Sequence, residues 1–214
     1  MKVFVVGANG QIGRHMMNMM KESGEYTGIG MVRSAEQKET FKEKGIDVVL
    51  GDLEGSAESL AELMKGFDAV IFTAGSGGHT GADKTLLIDL DGAVKTIEAA
   101  EKAGINRFVM VSAFQANNRE NWNEKIKHYY VAKHYADRAL IQSKLNYTIV
   151  KPGGLTNDAG TGKVSAGEGI ERGNIPREDV AKTVLECLRE ENTFKKSFDL
   201  VSGNLPIREA LQKI

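Results

Sequence analysis

KVFVVGANGQIG, residues 2–13, begins with a short β-branched and aromatic run and breaks at Gly7, with Gly10 and Gly13 following at intervals of three. An apolar run this short, stopped by glycine, predicts a buried β-strand. The next residues, QIGRHMMNMMKES, carry their apolar positions at helical spacing, so the glycines occupy a strand-to-helix turn. Such a turn lets the backbone approach a pyrophosphate, whose charge is favoured by the free N–H groups and dipole at the helix N-terminus. Asn9, Gln11 and Ile12 lie in the same turn and are cofactor-binding candidates with the glycines. The spacing G-x-x-G-x-x-G is one residue off G-x-G-x-x-G, and a tight turn without a ligand is the competing reading. Its place after the first strand of an alternating chain favours a dinucleotide.

Outward from this turn, β-branched runs near 26–32, 46–50, 68–72, 107–111, 146–150 and 197–201 alternate with helical patterns near 12–22, 35–44, 56–65, 83–103, 127–143, 178–190 and 206–213. Near-continuous apolar strands separated by helices imply a mainly parallel sheet covered on both faces, joined by right-handed crossovers. The expected fold is a doubly wound α/β Rossmann fold of about seven strands, forming a single domain over 1–214. The least regular stretch, near 153–176, reads as a loop region with at most one small element, on the substrate side.

The composition narrows the function classes. Lys plus Arg 28 against Asp plus Glu 29 gives a net charge of −1, with no overall field for nucleic acid or an anionic membrane. The lone Cys187 sits among Val180, Val184, Leu185 and Leu188 at helical spacing and reads as a core residue. The N-terminal apolar run is too short for a signal segment or a membrane span, so a cytoplasmic protein is expected. His79, His128 and His134 have no metal-ligand spacing, and no metal is expected. The oligomeric state is left open.

The second strand ends in MVRS, with Arg33 where NAD-dependent proteins carry an acidic residue for the ribose 2′-OH. A guanidinium there pairs with a 2′-phosphate, so NADP is expected over NAD. Arg14 adds charge to this end or is an exposed helix residue. Asp52, followed by Leu53, ends the third strand and is either an acceptor for the adenine amino group or a cap for the next helix. Thr73, Ala74 and Gly75, after the fourth strand, leave room for the ribose and adenine side.

At the fifth strand's end stands Ser112. The helix over 127–143 then carries Tyr129 and Lys133 four residues apart, on one face. A second pair, Tyr147 and Lys151, lies in a strand, where four residues span about 13 Å and no proton can be shared. Reduction of a carbonyl needs an acid at oxygen as hydride reaches carbon, and a phenol beside a cation is suited to this task. Ser112 would orient the carbonyl, Tyr129 protonate it and Lys133 stabilise the phenolate. Tyr130, with His134 as its i+4 partner, reads as a packing or rim residue.

Through GANGQIG, MVR, GDL, LLIDLDGAVKTIEAAEKAGINRFVMVSA, YYVAK and KPGG, the chain resembles the short-chain dehydrogenase/reductase superfamily. The likeness is greater to its atypical branch of biliverdin/flavin reductase-like and NmrA-like proteins, and FTAGSGG, NRENWNE and YYVAKHYAD resemble sugar-epimerase-like proteins of bacilli and lactobacilli. The resemblance implies the Ser112, Tyr129 and Lys133 roles above, Lys133 also binding the nicotinamide ribose. It further implies that Pro152 and Gly153 line the nicotinamide pocket. Asp89 stands where the branch with an asparagine-linked proton relay has asparagine, and no extended C-terminal substrate domain is expected. Residues 113–126 are either a lid with Asn117 and Trp122 as substrate-side contacts or a solvated loop pinned by Trp122. The expected activity is NADPH-dependent reduction of a small carbonyl, quinone or similar acceptor; the alternative is a cofactor-binding redox sensor without turnover.

Overall fold

The computed structural model describes all 214 residues. The chain runs β1 (Lys2–Val6), α1 (Gln11–Ser23), β2 (Thr27–Val32), α2 (Ala35–Glu43), β3 (Val48–Leu50), α3 (Ala57–Met64) and β4 (Ala69–Phe72). A helical stretch follows as α4 (Ala82–Lys84), a π-helical segment (Thr85–Asp91) and α5 (Gly92–Lys102). Then come β5 (Arg107–Val111), α6 (Lys127–Gln142), β6 (Asn146–Pro152), β7 (Gly154–Thr156), β8 (Lys163–Gly167), β9 (Asn174–Pro176), α7 (Arg177–Cys187), β10 (Lys196–Ser202), β11 (Leu205–Pro206) and α8 (Ile207–Leu211).

Nine strands form one sheet in the order β11-β8-β10-β6-β5-β4-β1-β2-β3. Every pairing from β10 to β3 is parallel, while β8 runs antiparallel to both β10 and β11. Two strands more than the expected seven extend the sheet at the β10 edge. The region near 153–176, expected to be loop, contains β7, β8 and β9, with β7 and β9 pairing as a separate two-stranded sheet. Pairing partners far along the chain supply this order, and segments of three to five residues carry little periodicity of their own.

Alternation along β1 divides the core. Val3 and Val5 pack with Met16, Met17 and Met20 of α1 and with Val180 and Val184 of α7. Phe4 and Val6 face the other way, against Leu60 and Met64 of α3, Ile97 of α5 and Leu140 of α6. Two buried layers explain why the central strands read as unbroken apolar runs. Cys187 is fully buried, and desolvation pushes its thiol up to about 12, as expected of a packing residue.

The chain order reverses between β1 and β4, which opens a crevice at the carboxyl ends of the strands. Gly7, Arg33, Asp52, Thr73, Ser112 and Pro152 all lie at that edge. The helical stretch expected to be regular over 83–103 instead widens into the π-helical turn, which presents Asp89 to the crevice. Asp89 is buried, and its Oδ2 accepts the Ser76 N–H at 3.0 Å, fastening the glycine-rich loop after β4.

Candidate active site

At the β1–α1 turn, Gly7 has φ +90°, and a Cβ there would stand 2.5 Å from the Ala74 amide nitrogen. At Gly13 a Cβ would lie 2.3 Å from the Gly7 carbonyl oxygen. Gly10 precedes α1 without a side-chain cap, so the first-turn N–H groups face outward with no carboxylate to compete for them. Only a turn pared to its backbone leaves this much access, and it suits the pyrophosphate of a dinucleotide.

Arg14 is held at the turn by Asn9, whose Oδ1 accepts from Arg14 at 2.8 Å. Arg33 is exposed at the end of β2, and its backbone N–H donates to Gln37 Oε1 at 3.1 Å. Asp52 accepts the Glu54 N–H at 2.9 Å and forms a local turn, whereas the cap of α3 is Ser56, which accepts from Ser59 at 3.1 Å. Of the two readings of Asp52, the helix cap does not hold: Ser56 caps α3, and Asp52 makes a local turn before it. Leu53 is buried beneath this turn, Thr73 and Ala74 line the crevice half-buried, and Gly75 sits against Asp89 Oδ1, 3.1 Å from where its Cβ would be. Gln11 is exposed and Ile12 buried at the start of α1. On the far side, Pro152 is buried, and Gly153 passes so close to the Gly173 carbonyl that a Cβ would come within 2.2 Å.

The catalytic candidates gather at the end of β5. Lys133 is buried and donates from Nζ to the Val111 carbonyl at 2.9 Å. Ser112, also buried, has its Oγ 2.8 Å from Asp137 Oδ2. Tyr129 stands half-buried one helical turn before Lys133, its ring edge-on to Tyr130 with centroids 5.9 Å apart. Tyr129, Lys133 and Asp137 recur every four residues and share one face of α6. Spacing alone could have pointed to Asp137, since it extends the Tyr129–Lys133 interval by one more turn.

The electrostatics differ from the expectation that Lys133 would ease formation of a phenolate. Burial raises the Tyr129 phenol above its ordinary value, and the charges of Asp89, Tyr130 and Asp137 raise it further. Lys133 is itself lowered by burial, with Asp89 and Asp137 acting in the opposite sense. Tyr129 in the free protein is thus a protonated phenol, which is the form a proton donor requires.

Asp137 is pushed up to about 7, first by burial, with Ser112, Lys133 and Lys151 drawing it down. Its Oδ1 is buried without a hydrogen-bond partner. A carboxyl whose folded value lies above its unfolded value contributes stability below the unfolded value, and that contribution is lost as pH rises through the folded one. A shift from 3.8 to about 7 corresponds to roughly 4 kcal/mol of differential stabilisation. Asp137→Asn is therefore expected to melt above wild type at about pH 8, with the gap narrowing toward about pH 4; thermal melts of both across pH would show it.

Lys151, excluded as a partner of Tyr147, proves to be a buried part of this edge. Its Nζ donates to Asn117 Oδ1 at 3.0 Å and lies 3.7 Å from Asp199 Oδ1, which also accepts the Gln115 N–H at 2.9 Å. Gln115 has φ +53°, a left-handed conformation held by these contacts next to Ser112. Asn117 is exposed at the crevice rim, but Trp122 is not. The indole is buried, donates to the Ala116 carbonyl at 3.2 Å and stacks on Tyr130 at 6.0 Å, so it pins the loop rather than offering a substrate contact. Tyr130 is accordingly a packing residue.

The chain belongs to the NAD(P)H-binding family, whose model matches residues 7–191. It is 58% identical over 214 residues, the full length of both chains, to an uncharacterised sugar epimerase, YhfK, of Bacillus subtilis strain 168. Among solved structures, it matches a Bacillus halodurans protein named for NAD-dependent epimerase/dehydratase activity with TM-score 0.93 and 42% identity, covering 100% of each chain. It matches the oxidoreductase YlbE of Lactococcus lactis with TM-score 0.89 and 32% identity, over 100% of this chain and 96% of that one. The glycine turn and the edge around Ser112 both fall within the residues that the NAD(P)H-binding family model matches.

Proposed function

We propose that the protein is an NADPH-dependent reductase of a small carbonyl, quinone or similar acceptor. The observation that carries this reading is Tyr129 on the same helical face as buried Lys133, with buried Ser112 at the carboxyl edge of the sheet. When bound, the reduced nicotinamide supplies the hydride. The uncapped first turn of α1 would hold the pyrophosphate, Lys133 would hold the nicotinamide ribose, and Pro152 and Gly153 would line the nicotinamide pocket. Ser112 orients the acceptor's oxygen, and Tyr129 gives that oxygen its proton.

The preference for NADPH rests on Arg33, exposed at the end of β2, and on Arg14 beside the turn. Arg33→Asp should reverse the ratio of kcat/KM for NADPH and NADH by about 10–100-fold, the size of one or two charge-assisted contacts. An unchanged ratio removes Arg33 from the 2′-phosphate site.

Turnover is tested by following loss of reduced-nicotinamide absorbance with NADPH in excess, across aldehydes, ketones, quinones and flavins. Sustained consumption with at least one acceptor class is expected. Tight NADPH binding without consumption by any of them would overturn the reductase in favour of a cofactor sensor. Inversion of a sugar with no net change in cofactor would instead favour epimerisation.

A further inference from the structure

Resting on the reading of Ser112 as the group that orients the acceptor, we propose that Asp137 is a positioning residue that sets the direction of the Ser112 hydroxyl. As a neutral acid, Asp137 donates to Ser112 Oγ and leaves the serine proton free for the acceptor's oxygen. As a carboxylate, it accepts a hydrogen bond from the serine hydroxyl, and Ser112 has no proton free to offer. No bond between heavy atoms changes; a proton moves between solvent and Oδ2, and the hydroxyl turns.

The geometry that supports this is the 2.8 Å contact between Ser112 Oγ and Asp137 Oδ2, with both side chains buried. A contact of that length serves either direction of donation. The unpartnered, buried Oδ1 weighs against a permanent carboxylate, because a desolvated anionic oxygen without a donor is costlier than a neutral carbonyl. Lys133 faces the carboxyl from the same helix and Lys151 from β6, and both favour ionisation. Tyr129 on α6 feels the Asp137 charge, Asp89 of the π-helical segment acts on Tyr129 and Lys133, and Asp199 of β10 lies beside Lys151 and shares its charge. These opposed influences leave Asp137 at about 7, so the two hydroxyl directions exchange near neutrality.

The test uses Asp137→Asn, whose amide can donate to Ser112 at every pH, and Asp137→Leu, which cannot donate at all. Infrared difference spectra of the ligand-free protein should show a protonated-carboxyl C=O band that titrates at about 7 and is missing from Asp137→Asn. In turnover, wild-type kcat/KM should fall as pH rises through that value. Asp137→Asn should lose this limb and keep activity on its alkaline side, and Asp137→Leu should also lose the limb but run about tenfold or more below Asp137→Asn, the cost of one donor. A band titrating in the ordinary carboxylate range, or an Asn variant that keeps the wild-type limb, overturns the proposal. A band at about 7 in a protein that turns over no acceptor supports the hydroxyl switch and removes the reductase, so the two ideas fail separately.

Discussion

Tyr129→Phe is expected to lower kcat by about 10²–10⁴-fold while NADPH affinity is unchanged, the range lost when a positioned general acid is removed. The phenylalanine keeps the ring and its edge-on contact with Tyr130, so the helix face and loop 113–126 should hold their places. What disappears is the phenolic proton on the helix face that also carries Lys133. Because burial and the charges of Asp89, Tyr130 and Asp137 keep that proton on the oxygen, the wild-type enzyme should retain its acid form well above neutrality. Steady-state kinetics and a fluorescence titration with NADPH, run on the same preparations, separate the two effects. Unaltered turnover in the variant would assign protonation to another group, with Ser112 and Lys133 the nearest alternatives.

Gly13→Ala should weaken cofactor binding about tenfold or more. Its Cβ would meet the Gly7 carbonyl at 2.3 Å and the Ala8 carbonyl at 2.7 Å, and neither backbone atom can rotate away. Overpacking of this kind costs about 1–3 kcal/mol, and each 1.4 kcal/mol diverted from binding is about tenfold in affinity. The melting temperature should also fall, by roughly 2–10 °C for a chain of this size. At Gly10 a Cβ would lie 3.2 Å from the Gly7 oxygen in an ordinary extended backbone, so Gly10→Ala should cost the fold less than Gly13→Ala. An alanine at 13 that binds NADPH like wild type would show that α1 does not cradle the pyrophosphate.

The parallel half of the fold was legible because its strands are buried on both faces. VFVV, AVIF and RFVMV read as strands without knowledge of their neighbours. The π-helical segment was not, since TLLIDLD has the composition of an ordinary helix and the wider turn goes with the tertiary bond from Ser76 to Asp89. Strands β7 to β9 escaped for a similar reason: their pairing is decided by β10 and by each other, not by local pattern.

At the site, Ser112, Tyr129 and Lys133 could be placed from strand ends and helical spacing. Asp137 could not be told from a solvated helix charge until its burial was known, and most aspartates in helices are solvated. Lys151 was hidden by the opposite error. Ruling out its strand neighbour Tyr147 left no reason to keep it, although Asn117 and Asp199 reach it from distant segments. The lone tryptophan in a polar loop suggested a substrate contact, yet the same hydrophobicity drives Trp122 into the small core it shares with Tyr130, Ala113 and Ala116.

Hydride transfer from NADPH is the centre of this account, and label transfer tests it most directly. NADPH dideuterated at the nicotinamide C4 is mixed with the best aldehyde or ketone of the panel, whose product keeps the hydride on carbon, and that product is examined by mass spectrometry and NMR. The account predicts one deuterium at the reduced position per NADPH consumed, with the rate lowered in Tyr129→Phe. Cofactor consumed without label in the product, or label returned to a sugar at an inverted centre with no net oxidation, would contradict it.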